Sequence, residues 1–356
     1  MRQGLLNLLP PVTVTALLLF WGNAPAALID NRATLVIVIV TVVLFVQLLE
    51  LRFERHEGWR INWRELATDV FYVVLGFTAI SWMTDTFAEG PLRNAKEPLG
   101  LTSPWLKSLP FLVQTFMVMA LFEFGQYWMH RLMHNNALFW STHAPHHHIT
   151  QLNAAKGYVG NPIELFLISL SVIALFDFDK AAIFASASLG TAISTFAHAN
   201  VRSDPPGWYS FFFTTIRHHS LHHTALSYED TRCNYGNSVI VWDRLFGTFK
   251  EGESAVVGQD DRKRLSIKEQ WLFPLRPWLE KREGAAEVRP ANIWGPDRLL
   301  AMPGELLHDS IFERINRSLF QRQARRRSGN SEPLPHQRVG ADQSPRPVGN
   351  RDTGVR

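Results

Sequence analysis

The chain has 356 residues, a formal net charge of +4 and 46% hydrophobic residues. Its single cysteine, Cys233, excludes an intrachain disulfide and fits a reducing compartment. The sequence contains no phosphate-cradling glycine loop, no dinucleotide fingerprint and no internal repeat, so it gives no indication of a nucleotide-dependent enzyme or a repeat protein.

The apolar residues are concentrated in long runs instead of being spread at globular spacing. Charged residues are nearly absent from the longest runs, which disfavours the alternative of core helices in a soluble all-α protein. The runs therefore predict an all-α, multi-pass transmembrane helical bundle with about four to six spans. In chain order, the candidate spans are 5–21, 33–51, 70–83, 110–128, 163–176 and 181–197, of which 5–21 and 70–83 are the weakest.

The first apolar run permits two interpretations. Arg2, the apolar run and the small residues near position 25 imitate a secretory signal with its cleavage site. However, the positive segment is short, and Pro10 and Pro11 fall early in the run. We therefore favour a retained helix.

The loop at 52–65 orients the predicted bundle. It carries four arginines, Arg52, Arg55, Arg60 and Arg64, and short arginine-rich loops stay on the cytoplasmic side. Counting from this loop, 70–83 leads out, 85–107 lies outside and 110–128 returns. The spans 163–176 and 181–197 are joined by only four residues, so they form a hairpin that leads out and back.

Eleven of the fourteen histidines lie between His130 and His223. Nine of them form an HxxxH box, two HxxHH boxes and one single histidine, the other two are adjacent to boxes, and the predicted topology brings all eleven to the cytoplasmic face. Residues three and four apart share one helical face, so each box directs two or three imidazoles to one point. Nine nitrogens exceed the three or four that one zinc ion takes from protein, which suggests two metals. Imidazole alone does not identify the ion, since zinc, copper, iron and nickel all accept it.

The order of these boxes, with the surrounding segments, resembles the fatty acid hydroxylase / sterol desaturase superfamily. The resemblance covers about residues 123–249, including the segments 127–131, 196–200, 230–237 and 242–249. It implies a multi-pass membrane enzyme with a non-haem dinuclear iron centre, which uses O₂ and two electrons to hydroxylate or desaturate a lipid. By this resemblance the metal ligands are His130, His134, His143, His146, His147, His198, His219, His222 and His223.

Five further residues are candidates for supporting the ligands. Glu123 lies two helical turns before His130, where it could orient a ligand imidazole or could be a membrane-buried acid bonded to a neighbouring helix. His148 and His218 are adjacent to ligands, as supporting or merely exposed residues. Asp230 and Asn234 could tie down the third box, or could be ordinary polar loop residues, as could Asp243.

The chain departs from its relatives after the second box. Val159 and Asn161 stand where those relatives often carry arginine and histidine ahead of a proline and a glutamate. The boxes themselves are intact, so this departure affects the assignment of the substrate more than that of the activity.

The resemblance leaves the lipid open among sterol, fatty acyl, ether and amino-acid-containing lipids, and it leaves hydroxylation or desaturation open. No haem, cytochrome or flavin motif is visible, so the electrons would come from a separate cytochrome, ferredoxin or reductase. The rival interpretations are a membrane metal-binding or metal-transport protein without oxygenase activity, and a haem-binding electron carrier. Both place histidines within the bilayer, whereas these lie at helix ends and in loops.

We predict four regions: membrane helices and loops (1–108), the catalytic domain (109–250), a cytoplasmic extension (251–320) with an amphipathic helix near 299–319, and a disordered arginine-rich tail (321–356). The tail either contacts anionic lipid or is merely solvated. Its arginines lack interleaved aromatic residues, so nucleic-acid binding is not expected. The expected location is the inner membrane of a bacterium or the endoplasmic reticulum of a eukaryote.

Overall fold

A computed structural model describes residues 3–225, 231–259 and 262–276. Helices and loops make up this part of the chain, in which only three isolated β-bridges and no strand occur. The all-α prediction is therefore confirmed for the described residues. The predicted amphipathic helix near 299–319 and the arginine-rich tail lie outside them.

The helices in chain order are α1 (Gln3–Asn23), α2 (Ala26–Ile29), α3 (Arg32–Arg52), α4 (Trp63–Leu75), α5 (Ser81–Thr84), α6 (Gly90–Lys96), α7 (Phe111–Asn135), α8 (Ala137–His147), α9 (Pro162–Ser169), α10 (Lys180–His198), α11 (Gly207–Phe212), α12 (Ile216–His222), α13 (Val241–Phe246) and α14 (Ile267–Leu272). Four stretches in the described residues are long and apolar enough to cross a membrane: α1, α3, the continuous segment Trp63–Lys96 and α10.

The helix α10 is the centre of the bundle. It packs against α1, α3 and α7, and its own core face is rich in alanine and other small residues that let these helices approach closely. Trp21 at the end of α1 is buried and donates its indole N–H to Ser188 Oγ of α10 at 2.9 Å. The first apolar run is thus a packed part of this helical bundle.

The segment Trp63–Lys96 corrects one prediction. We expected a span at 70–83 followed by an outside loop from residue 85, whereas the helix continues to Lys96. Two π-helical turns, Gly76–Ile80 and Asp85–Glu89, interrupt it without ending it. The second turn needs Gly90, because a Cβ there would lie 2.7 Å from the Asp85 carbonyl oxygen.

The predicted span at 110–128 is helical but lies in a longer, more polar helix. α7 has 25 residues and is not among the four stretches that are apolar enough to cross a membrane. Its polar side chains Gln114, Glu123 and Gln126 are buried against the rest of the bundle instead of facing outward.

The predicted span at 163–176 is wrong as a continuous helix. α9 has eight residues and is followed by a single 3-10 turn, Ile173–Leu175. Eight residues rise about 12 Å, which is too short to cross a hydrocarbon core. Two serines bond to the backbone at the break: Ser169 Oγ donates to the Phe166 carbonyl and Ser171 Oγ accepts from the Ile173 N–H, so both compete with the helical backbone.

The chain nevertheless runs from one end of the bundle to the other in this region. Asp177 binds Lys96 and the Ser103 N–H at 2.5 and 2.6 Å, and Asp179 accepts from Gln114 near the start of α7. At the opposite end, the Glu50 carboxylate at the end of α3 accepts from the backbone N–H groups of Ala154 and Asn200 at 2.8 and 2.6 Å. The chain therefore reaches the opposite end of the bundle and returns along α10, as the predicted hairpin requires, although α9 is not a span.

A buried ionic network joins the start of α4 to the loop after α8. Lys156 is 1% exposed and donates to the carboxylates of Glu65 and Asp69. Arg264 also binds Glu65, and Asn153 donates to Asp69 at 2.9 Å. The network therefore satisfies both carboxylates with cationic or amide donors, which a low-dielectric interior requires.

We expect Lys156→Met to lower the free energy of unfolding by about 3–5 kcal/mol, because two buried carboxylates would lose their central cation. The measurement is the thermal unfolding midpoint of the purified protein in detergent. Lys180→Met is the matched control: its lysine is half-exposed and 3.5 Å from the exposed Asp30, so its loss should cost less than about 1 kcal/mol. Equal midpoints for the two variants would contradict this account of the network.

Candidate metal centre

Nine buried histidines converge at the end of the bundle where α3 ends and α4 begins. They project from the last turns of α7 and α10, from α8, and from α12 with the residue that follows it. The i, i+3 and i, i+4 spacing of each box places its rings on one helical face, as expected. The structure divides the nine imidazoles into two groups, in each of which one nitrogen per ring lies within 4.8 Å of all the others.

The first group contains five imidazoles: His130, His134, His143, His147 and His222. The Nε2 atom of His143 is its hub. This atom lies 3.0 Å from Nε2 of His130, 3.1 Å from Nε2 of His134 and 3.1 Å from Nε2 of His147. Nε2 of His222 lies 3.0 Å from Nε2 of His130, so all three boxes meet in this group.

The second group contains four imidazoles: His146, His198, His219 and His223. Nε2 of His219 is 2.8 Å from Nε2 of His198 and 3.1 Å from Nε2 of His223. The ring of His223 stacks on that of His147 with centroids 4.4 Å apart, which places the two groups side by side.

In five of the nine rings, a hydrogen bond on the far side fixes the tautomer. In four of them Nδ1 donates to a backbone carbonyl: His130 to Tyr235, His146 to Val159 and His222 to Cys233, each at 2.7 Å, and His198 to Ser194 at 2.8 Å. In His143, Nδ1 donates to the carboxylate of Glu164 at 2.7 Å. A neutral imidazole has one N–H, so the Nε2 atoms of these five rings carry lone pairs that face the centre.

The donor set fits metal ions. The Nε2 atoms of His130, His143 and His222 form close pairs at 3.0 Å with no proton to place between them, and facing lone pairs repel unless a cation lies among them. Two imidazole nitrogens bound at right angles to one ion, each about 2.1 Å from it, lie about 3.0 Å apart. Tetrahedral donors at the same bond length would lie about 3.4 Å apart. The observed separations are therefore close to those of imidazole nitrogens that share one metal ion.

Burial keeps the rings neutral. It lowers the pKa of His143 to about 3, and burial together with neighbouring imidazoles lowers the pKa values of His147 and His222 well below the usual value. Ligand nitrogens must be deprotonated to bind a metal, and these rings meet that condition at neutral pH.

Glu164 is a site residue that the sequence reasoning missed. Its carboxylate accepts from His143 Nδ1 and also from the backbone N–H of Asn161, closing a capping box at the start of α9. Gly160 leaves room for it, since a Cβ there would meet the carboxylate. The asparagine–proline start with glutamate at the third helical position was the available signal.

The departure at Val159 and Asn161 now has a structural account. Val159 supports His146 through its backbone carbonyl, which any residue could supply. The side chain of Asn161 caps α9 and donates to the backbone of Gln270 and Trp271 near α14. These contacts do not use the side chain of either residue at an imidazole ring. The difference from the relatives at these two positions is therefore compatible with intact histidine boxes.

Of the two roles left open for Glu123, its contacts resemble those of a buried acid bonded to a neighbouring segment, and its bonds go to a loop and not to a ligand ring. Its carboxylate accepts from the hydroxyl of Ser238 at 2.5 Å and from the backbone N–H groups of Ser238 and Val239 at 3.0 and 3.2 Å. It thereby fixes to α7 the loop whose Tyr235 carbonyl holds His130. Its influence on the site is indirect.

Asn234 and Asp243 stabilise the same loop. Asn234, at a positive φ of 51°, donates to the carbonyls of His218 and Lys250. Asp243 accepts from the N–H groups of Tyr235 and Gly236, both at 2.7 Å, while its burial raises its pKa to about 6. Asp230 lies outside the described residues.

The extra histidines His148 and His218 lie outside both groups. His148 Nδ1 donates to the Ala144 carbonyl, and its ring is 5.1 Å from that of Phe273. His218 lies 3.5 Å from the Glu251 carboxylate and beside the Phe249 ring. The nine resemblance-derived ligands are thus brought together, and these two are not.

Comparison with known proteins agrees with this geometry. Residues 115–248 match the fatty acid hydroxylase family. Among curated relatives, the ornithine lipid hydroxylase of Rhizobium tropici is 28% identical over 224 residues, which is 60% of this chain and 66% of that protein. The alkylglycerol monooxygenase of Homo sapiens is 28% identical over 38% of this chain and 31% of that protein.

A Delta(7)-sterol 5(6)-desaturase of Aspergillus fumigatus is 26% identical over 49% of this chain and 52% of that protein. The chain thus spans about one third to two thirds of the length of these curated relatives. No solved structure matches the chain. The matched segment 115–248 includes all nine grouped imidazoles, so it is over the whole candidate metal centre that the chain is similar to the fatty acid hydroxylase family.

Proposed function

We propose that this protein is a membrane-bound, O₂-dependent lipid hydroxylase or desaturase that holds two iron ions in its two imidazole groups. The observation that carries the proposal is the set of inward-facing Nε2 atoms, five in one group and four in the other. An electron carrier with haem would need histidines that face each other singly across helices, and this arrangement differs from that.

The names of the relatives support a lipid as the substrate. Their names include an ornithine lipid hydroxylase, an alkylglycerol monooxygenase and a sterol desaturase, which act on an amino-acid-containing lipid, an ether lipid and a sterol. We propose a membrane lipid of one of these kinds or a fatty acyl chain as the substrate. The first candidate is an amino-acid-containing lipid, since that relative covers the largest share of this chain among the three.

When bound, two iron ions supply redox chemistry in which O₂, two electrons and two protons convert a C–H bond to an alcohol with release of one water, or two adjacent C–H bonds to an alkene with release of two. The chain's own residues prepare for this. Backbone carbonyls of Tyr235, Val159 and Cys233 hold the rings of His130, His146 and His222 with their lone pairs inward. The closely packed shell around them limits access of water.

The orientation that we propose places the site at the cytoplasmic face. The arginine-rich loop at 52–65 contacts the same end of the bundle as the histidines, since Arg55 binds Asp204 and Glu253 and its N–H donates to the Asn200 carbonyl. A lipid could then reach the site from the bilayer, while a separate cytochrome, ferredoxin or reductase delivers electrons from the cytoplasm. The membrane would be the bacterial inner membrane or the endoplasmic reticulum.

Metal content tests the site most directly. Purified, anaerobically handled protein in detergent should contain about two irons per chain by elemental analysis, with zinc measured in parallel. His222→Ala removes a donor from the group of five and His223→Ala one from the group of four. We expect each single variant to lose about one iron and the double variant both.

His218→Ala is the matched control, since this buried histidine directly precedes the same box but lies outside both groups. It should keep both ions. Protein with no iron, or a double variant with the wild-type iron content, would overturn the dinuclear site.

Removing the carboxylate behind His143 should weaken the group of five. We expect Glu164→Ala to lower the affinity of one ion about 10- to 100-fold in competition with a chelator, and Glu164→Gln to lower it less, because its amide oxygen still accepts from Nδ1. Glu269→Ala is the control, since Glu269 closes the same kind of capping box at α14 with Ser266. Unchanged affinity in Glu164→Ala would refute the orienting role.

Lipid products test the reaction. Membranes from cells with the wild-type protein should contain a lipid that has gained one oxygen atom, or has lost two hydrogens, relative to membranes from cells with the His222→Ala/His223→Ala variant. Mass spectrometry of total lipid extracts distinguishes the two outcomes and identifies the lipid class. Indistinguishable lipid profiles, with both proteins present at equal levels, would count against a lipid oxygenase in those cells.

A further inference from the structure

Two short helices beside the imidazole groups expose large apolar side chains. On α11, Trp208, Phe211 and Phe212 are 60%, 50% and 50% exposed. On α13, Leu245 is 43% exposed. Such side chains form a contiguous surface only if the two helices are adjacent, and the bonds between them show that they are.

Arg244 joins the two helices. Its guanidinium donates to the carbonyls of Phe211 and Ser210 at 3.0 and 3.2 Å, and it lies over the ring of Phe249 at 3.6 Å. The Ile240 N–H before α13 donates to the Phe212 carbonyl at 3.1 Å. The helices α11 and α13 are therefore held side by side.

α7 extends this surface. Phe124 and Trp128 are each 40% exposed. The ring of Phe124 is 5.1 Å from that of Trp242, and the ring of Trp128 is 5.1 Å from that of Phe246, so α13 packs onto α7 just before its histidines. We call the exposed side chains of these three helices the aromatic face: Phe124, Trp128, Trp208, Phe211, Phe212 and Leu245.

The depth of α11 is given by its contacts with the spanning helix α1. Ser203 Oγ donates to the Leu6 carbonyl, and the Asp204 N–H donates to Asn7, both at 2.9 Å. Tyr209 of α11 packs into the core that α1 shares with α10. α11 thus lies at the level of the first turns of α1, where a spanning helix meets the headgroup region of the bilayer.

The first turns of α1, at the same level as α11, also expose apolar side chains. Leu5, Leu8 and Val12 in the same turns are 54%, 44% and 57% exposed, as lipid-facing residues of a spanning helix should be. Tryptophan and phenylalanine at the ends of membrane spans place an apolar ring in the acyl boundary, and arginine keeps its charged end at the headgroups.

We infer that the aromatic face lies in the interfacial layer of the same bilayer that the spanning helices cross. α11 and α13 act as interfacial helices that keep the imidazole groups at headgroup depth. The position of the aromatic face has one consequence for catalysis, which rests on the proposed function: a lipid substrate would reach the imidazole groups sideways, from the membrane leaflet. The lipid contact itself does not depend on that function.

The single cysteine makes a direct test feasible. Cys233 is 0% exposed, so a cysteine introduced at the surface is the one that reacts with a thiol probe. The full chain carrying Trp208→Cys or Phe212→Cys is labelled with an environment-sensitive fluorophore and reconstituted in phosphatidylcholine vesicles. Lipids with a nitroxide near the headgroup, and aqueous iodide, are then compared as quenchers.

Two further sites calibrate the assay. Leu44→Cys, on the exposed side of α3, reports a lipid-facing position within a span, and Lys263→Cys reports a solvated position after the histidines. We expect the probes at Trp208 and Phe212 to be quenched about threefold more by the nitroxide lipid than the probe at Lys263, and to be protected from iodide. The thermal unfolding midpoint, measured on the same samples, reports whether each variant retains its fold.

Iodide quenching equal to that at Lys263, without nitroxide quenching, would overturn the inference. Protection from both quenchers would also overturn it, because a second copy or another protein would then cover the face. Either result would leave the iron and lipid assays above unaffected, so failure of this inference and failure of the proposed function can be told apart.

Discussion

Which nitrogen of each imidazole carries the proton determines whether the candidate metal centre can bind cations. Carbonyl groups and one carboxylate accept from Nδ1 in five rings, so the only N–H of each ring points outward. The inner surface consequently presents lone pairs at about 3 Å from one another. Such an arrangement is unfavourable without cations, and the fold maintains it through hydrogen bonds made by loops far apart in sequence.

Those loops are in turn held in place by buried carboxyl groups and one buried lysine. Glu50 on α3 joins the loop after α8 to the residues after α10 through two backbone N–H groups. Lys156 joins the loop after α8 to α4, and Glu123 joins α7 to the loop of Tyr235. Ion pairs and charge-assisted bonds of this kind position segments even where their net contribution to stability is small. Each carboxylate is thus a positioning element behind a histidine box.

The parts that were predictable from sequence are those with a strong local period. The apolar runs indicated the helical class, the i, i+3 and i, i+4 spacing indicated which histidines share a helical face, and the family resemblance selected the nine imidazoles that the structure brings together. The errors arose at positions where weak local interactions determine the structure. Serine side chains bond to the backbone where α9 ends early, and π-helical turns continue the segment after Trp63 past its expected end. Glu164 was missed as the partner of His143 because no helical or strand period relates the two positions. Glu123 was selected because its spacing places it on the same helical face as His130, but that spacing does not show what packs against this face.

Two pairs of adjacent histidines distribute their rings between both groups. His146 and His223 belong to the group of four, whereas His147 and His222 belong to the group of five. Neighbouring side chains on a helix diverge by about 100°, so one turn of α8 and the end of α12 each supply a ring to both imidazole groups. An insertion or deletion of one residue just before either adjacent pair would rotate both of its rings together. Such a change of length would therefore displace one donor from each imidazole group at the same time.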